Sequence, residues 1–154
     1  MSNTVSTEDI KSLRESTGVS IALCKSALEE AGGDMTRALA VLQAKSAVAL
    51  EKKAGRTLGA GTVATYVHGN KTIGAMVLLM CETDFVAKNE EFATLAHDIA
   101  MHISAMSPAD IESLLEDDYV KDPSKKIKHL IESAVQKFGE RILIANFARY
   151  STAN

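Results

Sequence analysis

Ile73-Gly74-Ala75-Met76-Val77-Leu78-Leu79-Met80-Cys81-Glu82-Thr83-Asp84-Phe85-Val86-Ala87-Lys88-Asn89 is the stretch on which the fold turns. Residues 73–80 carry no charge and no hydrogen-bonding side chain, and they read as a buried strand. Side chains alternate along an extended chain, so Ile73, Ala75, Val77 and Leu79 fall on one face and Met76, Leu78 and Met80 on the other. A strand that is apolar on both faces has to be covered on both. Thr83 and Asp84 stand where this strand gives way to the amphipathic segment Glu90–Met106. Either residue can cap that helix, because a short oxygen-bearing side chain accepts from the open N–H groups of a first turn. Phe85 then falls near the tip of the element. It either packs onto its own domain, as large apolar side chains usually do, or projects and reaches into another molecule.

Working outward, the runs 62–67 and 72–80 flank His68-Gly69-Asn70-Lys71, a hairpin signal. Downstream, Glu90–Met106 carries Phe92, Leu95, Ala96, Ile99, Ile103 and Met106 on one helical stripe. Ser107-Pro108-Ala109-Asp110 ends that helix and opens a short one over 111–115. Glu116-Asp117-Asp118 reads as a solvated acidic run, and Asp122-Pro123-Ser124 as a turn and cap. Residues 125–138 form an amphipathic helix with Ile127, Leu130, Ile131, Ala134, Val135 and Phe138 inside, and Gly139 stops it. Lys125, Lys126 and Lys128 at its start are expected to stay solvated. The end, 140–150, sets Ile142 and Ile144 against Leu143, Ala145 and Phe147, a third strand apolar on both sides. The fold class that follows is α+β: a three-stranded antiparallel sheet covered on one face by the helices 90–106 and 125–138. Its other face is left for the N-terminal region or a second copy of the chain.

The N-terminal region reads as a separate three-helix bundle. Ser6 or Thr7 opens a first helix, with Ile10, Leu13 and Thr17 inward and Thr17-Gly18 as its stop. A second helix starts near Ser20, repeats Ile21, Cys24, Leu28 and Ala31, and ends at Gly32-Gly33. Asp34 caps a third, with Met35, Ala38, Leu39 and Leu42 inside, and residues 45–55 can extend it as a polar connector. Gly55, Gly59 and Gly61 then mark a boundary, giving domains 1–55 and 56–154. The bundle resembles a ubiquitin-associated-type (UBA-like) module, which binds and does not catalyse.

Composition narrows the function. The 154 residues are 46% hydrophobic and 24% charged, with a net charge of −3. No basic arm or aromatic-interleaved basic patch is visible, which argues against nucleic acid as a partner. No apolar run approaches the roughly 20 residues of a membrane span. The polar start, residues 1–7, does not read as a leader, and Cys24 and Cys81 follow no ligand or framework spacing, so a reducing, cytoplasmic setting is expected. His97 and His102, five apart on one helix, do not converge on a metal. Gly55-Arg56-Thr57-Leu58-Gly59-Ala60-Gly61 lacks the ending of a phosphate loop. No catalytic residue, metal or cofactor is assigned, and Cys81 reads as an inert core thiol.

Three motifs carry a resemblance. Thr83-Asp84-Phe85-Val86-Ala87-Lys88-Asn89 resembles the most distinctive motif of the elongation factor Ts family, exchange factors for the GTPase elongation factor Tu. Leu13-Arg14-Glu15-Ser16-Thr17-Gly18, with Cys24-Lys25-Ser26-Ala27-Leu28 and Gly33-Asp34, resembles its first motif, and Gly139-Glu140-Arg141-Ile142 through Phe147-Ala148-Arg149-Tyr150 its last strand. The resemblance implies that Thr83, Asp84, Phe85 and Val86 enter the GTPase beside its Mg²⁺, with Phe85 as the wedge. It implies that Leu13, Arg14, Ile21 and Ala22 dock the bundle on the same domain. The family commonly has two bulky apolar residues where Ile21-Ala22 stands here. Long members hold two sheet units and a helical arm; short members are expected to pair, some through a cysteine where this chain has Ala148. The alternative reading is a dimeric binding module whose bundle holds a helix and which leaves the nucleotide untouched.

Overall fold

The computed structural model describes residues 5–153. Met1 to Thr4, which hold most of the polar start read as carrying no leader, lie outside the described residues. The chain divides into two compact units. One comprises residues up to Gly55 together with Glu132–Gly139; the other comprises Arg56–Ile131 and residues from Glu140 onward.

The first unit contains α1 (Thr7–Thr17), α2 (Ile21–Glu30) and α3 (Met35–Lys53). Each helix starts on a short oxygen side chain: Ser6 accepts from the amide of Asp9, Ser20 from Leu23 and Asp34 from Arg37. Gly18, at φ +70°, ends α1 in the left-handed conformation that only glycine takes cheaply. Leu13, Val19, Cys24, Ala27, Leu28, Ala31, Ala38 and Leu42 form the core of the bundle. The alanine-rich connector does continue the third helix, as its composition suggests.

The second unit is built on a sheet in the order β1 (Ala60–Val67), β2 (Ile73–Cys81), β5 (Leu143–Ser151), antiparallel throughout. The loop between β1 and β2 is longer than a two-residue Gly-Asn turn. Lys71 takes the left-handed conformation at φ +59°, and the Asn70 side chain accepts from both the amide and the hydroxyl of Thr72. Helix α5 (Glu90–Met106) covers one face of the sheet, packing on β1, β2 and β5. Its buried stripe is Phe92, Ala96, Ile99, Ala100 and Ile103, over Ala75, Val77 and Leu79 of the central strand. Leu95 is half-buried and Met106 is 49% exposed, so the stripe ends short of Met106.

Three expectations need correction here. Helix α7 (Ile127–Phe138) begins two residues later than expected and runs across the division between the units. The residues before it form a small second sheet, β3 (Asp118–Tyr119) with β4 (Asp122–Lys126), following α6 (Ile111–Glu116). The acidic run and the lysines are therefore not simply solvated. Glu116 meets Lys128 at 2.8 Å, Asp118 meets Lys126 at 3.4 Å, and Asp117 accepts from the buried His102 at 3.1 Å. Val120 donates its amide to His102 Nδ1 at 3.1 Å, so the ring proton sits on Nε2 and the imidazole stitches this hairpin to α5. The third strand also departs from simple alternation. A bulge between the pairs Leu78↔Asn146 and Leu79↔Ile144 inserts Ala145, so Ile144 and Phe147 share the covered face beside Leu79 and Val77.

The opposite face of the sheet stays open. Val63 is 59% exposed, Val67 61%, Met76 50% and Tyr150 80%. Gly61 shows how tightly β1 and β2 approach: a Cβ there would lie 2.6 Å from the Leu79 carbonyl oxygen. Gly61→Ala is expected to cost about 1–3 kcal/mol by forcing backbone apart, measurable as a lower urea midpoint at unchanged m-value.

Candidate protein-docking site

The end of β2 leads directly into the candidate site. Thr83 does not cap the long helix. It caps a separate single turn, α4 (Asp84–Ala87), and Asn89 caps α5, its Oδ1 accepting from the amide of Glu91 at 2.8 Å. The Thr83 hydroxyl accepts from the Val86 amide at 3.4 Å, while Ala87 and Lys88 donate their amides to the carbonyls of Thr83 and Asp84. A turn this short has no helical stability of its own, so its position depends on anchors. One is Val86, 3% exposed, in a turn that packs on β1, β2 and α5. Phe85, its neighbour, points the other way and is 86% exposed. Asp84 is exposed beside it.

The second anchor lies far away in sequence. The Glu140 carboxylate accepts from the amides of Glu82 and Thr83 at 3.1 and 3.0 Å, and from the Thr83 hydroxyl at 2.7 Å. Glu82 answers in kind, accepting from the Arg141 amide at 2.6 Å and from Arg56 at 3.4 Å. Arg141 completes the clasp by donating from its guanidinium to the Arg56 carbonyl at 2.8 Å. Sequence reasoning quoted Glu140-Arg141 within a motif but assigned the pair no task. A charged pair directly after a helix-stopping glycine and before an apolar strand was the available signal.

Cys81 sits beneath this clasp, fully buried. Burial pushes its thiol up, and the neighbouring Glu140 charge pushes it further. The thiol donates to the Thr83 carbonyl at 3.3 Å and so ties the end of the strand to the same turn. Among the described residues no group of His, Cys, Asp or Glu is placed to hold a metal ion.

The residues expected to dock the bundle separate into two kinds. Arg14, Ile21 and Ala22 are exposed, Ile21 at 55%. Leu13 is not: at 0% exposure it belongs to the bundle core. Its heptad-like spacing with Ile10 and Thr17 already placed it inward, and its part in any docking surface is to hold α1, not to touch a partner.

A rooted turn that exposes one aromatic ring on an α+β scaffold makes α4 the candidate docking element. Comparison with known proteins places that scaffold. The family model described as elongation factor TS matches residues 82–154. The elongation factor Ts of Thermotoga petrophila is 38% identical over 189 aligned positions, covering 95% of this chain and 95% of the relative. That of Leptospira biflexa is 37% identical over 191 positions, covering 95% and 96%. That of Aquifex aeolicus is 42% identical over 153 positions, covering 96% of this chain but 53% of the relative, so the chain spans about half that protein's length. The chain belongs to the elongation factor Ts family, and its work lies in translation elongation. Among the described residues no helix is long and apolar enough to cross a membrane.

Proposed function

We propose that the protein is a guanine-nucleotide exchange factor: it binds elongation factor Tu carrying GDP and promotes GDP release. The observation that carries this reading is the 86% exposure of Phe85 on a turn whose neighbour Val86 is buried. Asp84-Phe85 enters the GTPase beside its Mg²⁺, the ring wedges into an apolar pocket, and the disturbance dislodges the cation. Mg²⁺ and the diphosphate hold each other by strong charge interactions, so loss of the ion removes much of the nucleotide's grip. Coupling is reciprocal: the factor weakens GDP binding by the same factor as GDP weakens the factor's binding. No catalytic group on the factor is needed. Thr83 and Val86 hold the tip, and Arg14, Ile21 and Ala22 dock the N-terminal bundle, residues 1–55, on the same domain of the partner. The protein acts in the cytoplasm.

The test is the release of fluorescent GDP from elongation factor Tu on mixing with this protein. Faster release supports the proposal. Stable association with an unchanged release rate would overturn it and leave a plain binding module.

We further propose that residues 56–154 pair two chains through the open sheet face. The support is the set of apolar side chains Val63, Val67, Met76 and Tyr150, all exposed on that one face. Light scattering at micromolar concentration is expected to give twice the chain mass, and Met76→Lys to shift it toward the monomer. A monomer mass for the unaltered protein would end this proposal.

A further inference from the structure

We infer that Glu140 is a positioning residue for nucleotide release, acting through Thr83 to hold the Phe85 tip at a fixed angle. The inference rests on the exchange reading above and adds a residue to it.

The geometry carries it in three steps. The ladder between β2 and β5 ends at Met80↔Leu143, so Glu82 and Thr83 lie beyond strand pairing and need another tether. Glu140 supplies it with both carboxylate oxygens: Oε1 takes the two consecutive amides and Oε2 takes the Thr83 hydroxyl. Charge-assisted bonds of this kind are about twice as strong as neutral ones. The hydroxyl is then committed as a donor to Glu140, which leaves its lone pairs for the Val86 amide, the bond that caps α4. One carboxylate therefore sets both where the chain leaves the sheet and which way the cap points. Phe85 follows two residues after Thr83.

A tip that pushes into another protein works only as well as it is held. A loose tip docks but must be ordered at the moment of insertion, and that ordering opposes the step. Loss of the clasp should lower the release rate of the bound complex and leave docking, carried by the rest of the surface, almost unchanged.

The experiment uses the full chain and stopped-flow release of fluorescent GDP from elongation factor Tu over a range of factor concentrations. Glu140→Ala and Thr83→Val are expected to lower the saturating release rate roughly tenfold, equivalent to about 1.4 kcal/mol, with the half-saturating concentration within about twofold of the original. Glu140→Gln is expected to restore much of the rate, since its carbonyl still accepts the two amides and its NH₂ can donate to Thr83. In a Phe85→Ala background, Glu140→Ala should cost little more, because it acts through the ring. A residue that merely holds the fold together would lower both backgrounds alike, and that outcome overturns the inference. So does an unchanged saturating rate in Glu140→Ala. If Glu140→Ala melts below the assay temperature, Thr83→Val decides by the same two readouts. A wild-type protein that leaves release unchanged sinks the exchange reading itself, a result distinct from failure of the Glu140 variants alone.

Discussion

Phe85→Ala is expected to lower the rate of GDP release at a given factor concentration by roughly 10- to 100-fold while leaving the melting temperature where it was. The first half follows from burying one phenylalanine in the partner, about 1.5–3 kcal/mol, at about 1.4 kcal/mol per factor of ten. The second half follows from exposure: at 86% the ring contributes almost nothing to its own fold, and surface substitutions of this kind stay within about 0.5 kcal/mol. Stopped-flow release and a thermal melt on the same preparation check both. A variant that melts early but still releases GDP would place the ring in the core of its own domain.

Phe92→Ala, seven residues on, should do the reverse. Phe92 is fully buried in the first turns of α5, beneath the sheet. Truncation removes the ring's transfer energy and leaves a cavity, together about 3–5 kcal/mol, a large share of the roughly 5–15 kcal/mol that holds a domain together. The urea midpoint should fall sharply. Any loss of nucleotide release should track the unfolded fraction and vanish under conditions where the variant is folded. The same substitution at two phenylalanines thus separates the surface that acts from the scaffold that carries it.

Much of the scaffold was legible because side-chain alternation has a period of two in strands and 3.6 in helices. That is enough to place residues 73–80 as a buried strand, Glu90–Met106 as its cover, and three short capped helices before them. Reading failed where the chain breaks its own period. Ala145 bulges, so Phe147 joins the face of Ile144 instead of opposing it. Lys125 and Lys126 leave the expected first turn of α7 for the strand 122–126, which pairs with 118–119 in a hairpin that no local period announces. Leu13, named for docking by resemblance, sits in the bundle core, where its spacing with Ile10 and Thr17 had already placed it.

The candidate site divides the same way. Thr83, Asp84, Phe85 and Val86 were visible as a motif, and the capping chemistry of Thr83 could be read from its type. Periodicity says nothing about which of two adjacent apolar residues, Phe85 or Val86, turns outward from a four-residue helix. Nor can it find Glu140, whose bonds to Glu82 and Thr83 span 58 and 57 positions of chain. Local sequence determined which elements form, since propensity, capping and amphipathic period act within a few residues. Only the tertiary structure decided that the ring projects and that a distant carboxylate holds its root, because burial and long-range hydrogen bonds exist only once the strands have paired.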